Sequence, residues 1–320
     1  MKEHSVFNKH IIKYMPNTDY NENVKLISYS QFSLYGKCPR SWYLKYVLKH
    51  KLDEPSIHLI FGTAFHETFQ KLLTLYFNST VKEAESFDIS NHLKELLFEL
   101  YTKDYEKYNK HYSTPAELAE FYNDGVQILN YFKKKRNLYF SKKTDELVGW
   151  EIPLYITVQE NEISKVVFLG YIDLVLKDKN SGKYTLFDIK TSTRGWNDYK
   201  KKDHLTISQL ILYKKYFSIQ YNISIDDIEV QYFIVKRKIN TDSEFPQKRI
   251  QEFKPAAGSV NMNKTDKLMV NFINTAFIDT KYNTDESYYK PLAGVNYSNC
   301  KFCIFSQNEL LCPKSNRFCG

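Results

Sequence analysis

The stretch Leu186-Phe187-Asp188-Ile189-Lys190-Thr191-Ser192 constrains this chain more than any other. It places a carboxylate and an ammonium two residues apart within an apolar, strand-forming run. In a β-strand that spacing puts both side chains on one face. Burying a charge there is costly unless it is paired or bound to a metal, and Asp188 and Lys190 on a common face can share that cost with a cation. Taken alone, the tripeptide also reads as a strand end with two solvated charges and a local salt bridge. The choice between a site and a surface therefore rests on the surrounding chain.

That chain has 320 residues and is 42% hydrophobic, enough for one large domain or two modest ones around a packed core. No apolar run is long enough to span a membrane, and Met1 to Tyr20 is polar with no signal-peptide pattern, so a cytoplasmic protein with no membrane partner is expected. The formal charge is +8 and 16% of residues are aromatic, including 26 Tyr. Basic charge with many rings suits a polyanion whose bases can stack, and it equally reflects a biased overall composition. The cysteines stand at 38, 300, 303, 312 and 319. In a reducing compartment this crowding at the C-terminus argues for metal rather than disulfides.

Residues 1–27 show little periodicity and read as an N-terminal arm. Ser28-Tyr29-Ser30 offers hydroxyl caps for a helix, and Pro39 starts a second helical segment through Trp42, Tyr43 and Tyr46. Phe61, Phe65, Phe69, Leu72, Leu73 and Tyr76 recur at three and four, predicting a helix over 61–77 with His66 beside its apolar stripe. Helices over 91–108 and 115–139 follow, the second ending in Lys133-Lys134-Lys135-Arg136, which reads as a solvated helix end or a phosphate contact. From Leu147 the period becomes that of strands, over 147–158, 165–176 and 183–191, the last two joined by hairpin-type residues 178–182. A helix over 204–221, a strand over 228–238, a polar connection near 240–260 and a helix over 264–279 complete the pattern. The chain contains no internal repeat and no Gly-rich phosphate loop of the nucleotide-binding type.

Asp173, in Gly170-Tyr171-Ile172-Asp173, lies on the strand that the hairpin folds against the Asp188 strand. Antiparallel neighbours bring the two carboxylates into one small volume, where they can hold a hard cation such as Mg²⁺ or Mn²⁺.

Five motifs now stand in order: Cys38-Pro39-Arg40 with Trp42-Tyr43-Leu44; Gly62-Thr63-Ala64-Phe65-His66-Glu67; Gly170-Tyr171-Ile172-Asp173; Asp188-Ile189-Lys190; and Gln209 with Tyr213. With the cysteine-rich tail, this arrangement resembles the PD-(D/E)xK nuclease superfamily, and within it the RecB-like exonucleases that carry a C-terminal iron–sulfur cluster. The resemblance runs from about residue 28 to the C-terminus.

It implies an α/β fold with a restriction-endonuclease-like mixed β-sheet core flanked by helices. Residues 28–146 would form a helical segment contributing Cys38 and His66, 147–260 the nuclease core, and 261–320 a C-terminal helix and iron–sulfur region, all in one integrated domain. Asp173, Asp188, the backbone carbonyl of Ile189 and His66 would be metal ligands. Lys190 would sit beside the attacking water and the scissile phosphate. Gln209 and Tyr213, on one helix face, would reach the active-site edge or the nucleic-acid backbone, and Arg40, Thr191 and Tyr213 would contact nucleic acid. Glu151 resembles a glutamate often found in the family; its role stays open. The reaction implied is phosphodiester hydrolysis, assisted by one or two divalent cations.

The Cys300-Lys301-Phe302-Cys303 spacing suits two thiolates on one metal or cluster. By the resemblance a 4Fe–4S cluster would join Cys38, Cys300, Cys303 and Cys312, with Cys319 as an alternative to Cys312 and zinc as an alternative to iron–sulfur. The substrate implied is DNA, with free ends or single-stranded, in repair, recombination or replication, with a helicase or recombinase in trans. A DNA-binding accessory subunit that does not cut, and a structure-selective endonuclease, are the other readings of the same fold.

Overall fold

The computed structural model describes residues 23–50, 55–161, 165–240, 242, 244–245 and 247–317. Most of the arm expected over residues 1–27, together with Cys319, lies outside them. The end of that arm, Val24–Ile27, is a β-strand, β1. Ser28 then accepts a hydrogen bond from the Gln31 N–H at 3.4 Å and starts α1, Tyr29–Lys37. Pro39 opens a short α2, Pro39–Trp42, which widens into one π-helical stretch, Tyr43–Val47.

The helical region continues with α3 (Ile57–Asn78), α4 (Val81–Ser86), α5 (Ile89–Tyr108) and α6 (Pro115–Lys135). Their starts follow from capping chemistry. Thr80 and Glu83 form a reciprocal capping box, Asp88 accepts from the Ser90 and Asn91 N–H groups, and Thr114 precedes a first-turn proline. Then come β2 (Asp145–Glu160), β3 (Lys165–Asp178), β4 (Tyr184–Ser192), α7 (Asp198–Lys202), α8 (His204–Tyr221), β5 (Ile228–Lys236), β6 (Ile250–Phe253) and α9 (Ser259–Ala276). Two short strands, β7 (Phe277–Ile278) and β8 (Lys281–Tyr282), form a separate ribbon.

Among the described residues β1 to β6 make one six-stranded mixed sheet in the order β1-β3-β4-β5-β6, with β2 paired along β3. The β2–β3 and β3–β4 pairs are antiparallel, and β1–β3 and β4–β5 parallel. Central β5 is buried along nearly its whole length, as expected of a parallel strand covered on both faces. One core lies under α1, α2, α8 and α9, and a second lies under α3, α5 and α6, so the sheet separates two apolar layers.

The helix expected over 204–221 has those bounds. The last long helix begins at Ser259 rather than Lys264, because the apolar residues of its first turn, Val260 and Met262, stand outside the buried stripe that starts at Thr265. Strand β6, inside the connection expected near 240–260, is four residues of an edge strand and too short for its alternation to register.

Trp42 anchors the first core. It is fully buried, stacks on Tyr46 and Tyr289, and meets Tyr35, Phe272, Phe277 and Tyr282 edge-on. These rings belong to α1, the π-helical stretch, α9 and the chain after it, so Trp42 ties the start of the fold to its end. Trp42→Ala is expected to lower unfolding free energy by about 3–5 kcal/mol in urea denaturation, and a loss below ~1 kcal/mol would contradict this role.

Candidate active site

The site is built where the sheet stops being regular. β2 occupies one edge of β3 throughout. β1 and β4 share the other: β1 pairs with Lys165–Phe168 and β4 with Leu174–Lys177. Residues 169–173 of β3 lie between them, unpaired on that side. The β3–β4 ladder ends at Leu174↔Phe187, so Asp173 and Asp188, the next positions in that register, sit where the strands part. The Ile189 N–H, released from β3, donates instead to Asp173 Oδ2 at 2.6 Å.

The same point is a change of face. Ile152 and Ile172, paired across β2 and β3, lie in the core under α8, whereas Trp150 and Leu174, one pair further along, pack in the other core. Between them Glu151 adopts a left-handed backbone, φ +48°, opposite Asp173. A non-glycine residue in this region is uncommon and marks a local constraint. Here it turns two carboxylates toward the opening between the layers.

Helix α3 crosses this opening with one line of residues spaced by four. Gly62 faces Thr191: an added Cβ would come within 3.6 Å of Thr191 Oγ1, so the helix passes close over the end of β4. His66 Nδ1 stands 4.0 Å from Asp173 Oδ2 and lies against the Ile189 backbone. Gln70 Nε2 donates to Glu151 Oε1 at 3.0 Å. The i, i+4 spacing thus aligns three contacts with three strand positions.

On β4, Asp188 and Lys190 do face one way, and Lys190 Nζ lies 2.9 Å from Asp188 Oδ2. The Asp188 side chain is 1% exposed, yet neither oxygen receives a well-directed hydrogen bond. Burial pushes Asp188 up to about 6 against the pull of Lys190, and pushes Asp173 to about 6 against Lys190 and the Ile189 N–H. Burial works against the Lys190 charge, but Asp188 and Asp173 overcome it and hold the ammonium well above its usual range. Burial also lowers His66, which favours the neutral imidazole that a metal requires.

From the other face, α8 brings Gln209 and Tyr213. Both are buried, and Gln209 Nε2 donates to the Tyr213 hydroxyl at 3.2 Å. The Tyr213 ring fits against Gly170, where a Cβ would meet it at 3.1 Å. Burial, then the charge of Asp188, raises the Tyr213 phenol, which places it in the field of the site. Sequence reasoning did not single out two further tyrosines. Tyr232, the register partner of Asp188, donates to Thr206 O at 2.6 Å, and Tyr29 donates to Leu205 O at 2.8 Å. Both phenols are raised by burial with a contribution from Asp188, Tyr29 to about 12. Only the β4–β5 register and the return of α1 reveal this, and neither leaves a local sequence signal.

A bound cation suits part of this geometry. Among the described residues no three His, Cys, Asp or Glu side chains stand close enough to form a ready-made metal site. What fits is the donor chemistry: a buried carboxylate with two undirected oxygens, a second carboxylate beside it and a neutral imidazole.

The cysteines form a different region. Cys38, Cys303 and Cys312 are free thiols, and Cys300 lies half-buried in the same loop as Cys303. Two segments far apart in the sequence meet here: the Leu292 N–H donates to Cys38 Sγ at 3.4 Å, Cys303 Sγ lies 3.8 Å from Ser41 Oγ, and Asn299 Nδ2 donates to Lys37 O at 2.8 Å. Burial pushes the Cys38 thiol up, with Cys303 and Cys312 near enough to add to the shift. The segments are joined and the soft donors suit a thiophilic metal, but among the described residues closed coordination geometry is not formed. Arg40 is committed to this junction. Its guanidinium pairs with Glu286 and donates to Leu311 O at 3.0 and 2.9 Å, an internal tie between α2 and the cysteine-bearing loop.

Among the described residues no helix is long and apolar enough to cross a membrane. No curated protein matches the sequence. A solved structure of a Eubacterium rectale protein provisionally called an exonuclease is similar, at 12% identity over 81% of this chain and 83% of that one, with a TM-score of 0.43. The sequence itself matches the PD-(D/E)XK nuclease superfamily over residues 26–307, a span that includes the parted strands, helix α3 and the Gln209–Tyr213 pair. That span is most of the chain, and the protein belongs to the PD-(D/E)XK nuclease superfamily.

Proposed function

We propose that this protein is a Mg²⁺- or Mn²⁺-dependent DNA exonuclease that hydrolyses phosphodiester bonds at free or single-stranded ends, in repair, recombination or replication, with a helicase or recombinase supplying the strand. The observation that carries the reading is Asp188: fully buried, both oxygens without a directed donor, with Asp173 and Lys190 beside it. A buried carboxylate of purely structural purpose is normally matched by donors. This one is matched by a single ammonium, which leaves coordination capacity facing the opening.

Asp173, Asp188, the Ile189 carbonyl and His66 would hold the cation, which when bound supplies Lewis acidity and makes a neighbouring water a better nucleophile. Lys190, kept charged by the two carboxylates, orients that water and offsets negative charge developing on the phosphate. The Gln209 amide fixes the Tyr213 phenol near the reacting groups. Thr191, at the crossing of α3 and β4, would touch the nucleic-acid backbone. In the joined termini, Cys38, Cys300, Cys303 and Cys312 would hold a 4Fe–4S cluster whose role is to fasten the fold.

Asp188→Ala and Lys190→Ala are each expected to lower Mg²⁺- or Mn²⁺-dependent cleavage of end-labelled DNA by at least about a hundredfold while the circular dichroism stays unchanged. Full cleavage by Asp188→Ala would overturn the reading. Because protons compete with the cation for carboxylates that titrate near pH 6, Mn²⁺ affinity should climb as pH rises from 5 to 7 and level off above, as measured by calorimetry. Flat affinity over that range would show that these groups do not bind it. Protein purified without oxygen should contain iron and acid-labile sulfide, and Cys303→Ser should lose both; a colourless, iron-free wild type would refute the cluster.

A further inference from the structure

The chain leaving β4 is held in an unusually fixed shape. Ser192 Oγ donates to Gly195 O and accepts from the Gly195 N–H, each at 3.1 Å. Gln251 clamps the next residue on both sides: its Oε1 accepts from the Trp196 N–H at 2.7 Å and its Nε2 donates to Trp196 O at 3.0 Å. Gly195 has φ +91°, and a Cβ there would meet Gln251 Oε1 at 2.9 Å, so only glycine fits. Trp196 is buried against Tyr232 and Phe253. The segment therefore begins two residues after Lys190 and is anchored before it reaches the surface.

What it presents there is basic and aromatic. In α7, Tyr199 is 78% exposed and Lys200 is exposed, its ammonium 4.6 Å from the centre of the Trp196 ring. Lys37, at the end of α1, reaches the same place from another direction. Gly36 packs so tightly on the start of α8 that a Cβ would lie 2.6 Å from Leu205 Cδ2, and the Tyr29 hydroxyl bonds Leu205 O. Lys201 pairs with Asp198 at 3.6 Å; among the described residues no carboxylate forms an ion pair with Lys37 or Lys200, Asp203 acting on Lys200 only at longer range. Partial desolvation, then the charges of Lys37 and Lys190, hold Lys200 below the ordinary lysine value. Two ammonium groups with no ion-pair partner among the described residues, beside an exposed ring, call for an anionic ligand with an aromatic part.

We propose that Lys37, Tyr199 and Lys200 form the landing site for a single DNA strand next to the bond being cut, with the two ammonium groups on a backbone phosphate and the Tyr199 ring under a base. This rests on the nuclease reading of the Asp188 site, which it extends by naming where the flanking nucleotide lies. Continuity argues for a strand rather than a small anion, because the anchored segment that carries Tyr199 and Lys200 leaves β4 two residues after Lys190, where the scissile phosphate would sit. Anchoring by Ser192 and Gln251 keeps the platform in fixed relation to β4, so a nucleotide bound there sets the position of its neighbour.

The test is fluorescence anisotropy of an end-labelled, mixed-sequence single-stranded oligonucleotide binding the full chain in EDTA, where no cleavage occurs, as salt is varied. Lys37→Ala with Lys200→Ala is expected to weaken binding about tenfold or more and reduce the steepness of the log Kd against log salt plot by about 0.7, the value for one phosphate contact on a single strand. Tyr199→Ala should weaken binding about tenfold with the slope unchanged, and Tyr199→Phe should bind as the wild type does. Lys94→Ala with Lys143→Ala removes the same charge elsewhere and should leave the slope intact. An unchanged slope in the Lys37/Lys200 variant, an equal effect of the control pair, or blunt duplex bound as tightly as single strand would overturn the proposal. Cleavage by the wild type in Mn²⁺, assayed separately, distinguishes the cases: cleavage with an unchanged slope sinks this surface alone, and no cleavage with the expected slope change sinks the nuclease reading alone.

Discussion

The hydrogen bond from the Ile189 N–H to the Asp173 carboxylate is the interaction on which the site depends. In a regular sheet that N–H would bond a backbone carbonyl on the neighbouring strand. Here the β3–β4 ladder has ended one pair earlier, and a side chain takes over. The substitution satisfies a buried donor that would otherwise be costly, and fixes Asp173 beside the strand bearing Asp188 and Lys190. It also keeps the strands apart, so that α3 can reach the gap from one layer and α8 from the other. A ladder continued through residues 169–173 would close the opening.

Much of this was legible in the sequence. The two-residue spacing of Asp188 and Lys190 sets their common face, and the hairpin composition of 178–182 sets the antiparallel pairing that brings Asp173 across. The spacing of the apolar positions on α3 leaves His66 at the margin of its buried face. What could not be read was anything set by irregularity or by distant return. The left-handed backbone at Glu151, the exchange of faces beside it and the early end of the ladder depend on the whole sheet, and no local pattern encodes them. Strand β1 was hidden because four residues carry no periodicity, and its parallel partner lies far along the chain. The partners of Arg40, Glu286 and the Leu311 carbonyl, likewise come from far along the chain and leave no local signal.

The two ends of the chain are part of the same design. Trp42 draws the aromatic residues of α9 and the following segment onto α1 and α2, and the cysteine-bearing loop closes over that junction. Lys37 stands at the exposed margin of this tied region, with Asn299 holding its carbonyl. The parts that stabilise the enclosure and the rim proposed to meet a strand are thus adjacent. Chemistry is assigned to the parted strands, and the choice of substrate to the rim around them.

The central claim is that the gap between β3 and β4 is a cation site assembled by Asp173 and Asp188. Its most direct test is a crystal structure of the protein soaked in Mn²⁺, with anomalous scattering recorded at the manganese absorption edge. The account predicts a manganese peak in that gap, where Asp173, Asp188, His66 and the Ile189 carbonyl would hold the ion, with Lys190 moved off Asp188. A peak elsewhere, or none with Lys190 still on Asp188, would contradict it.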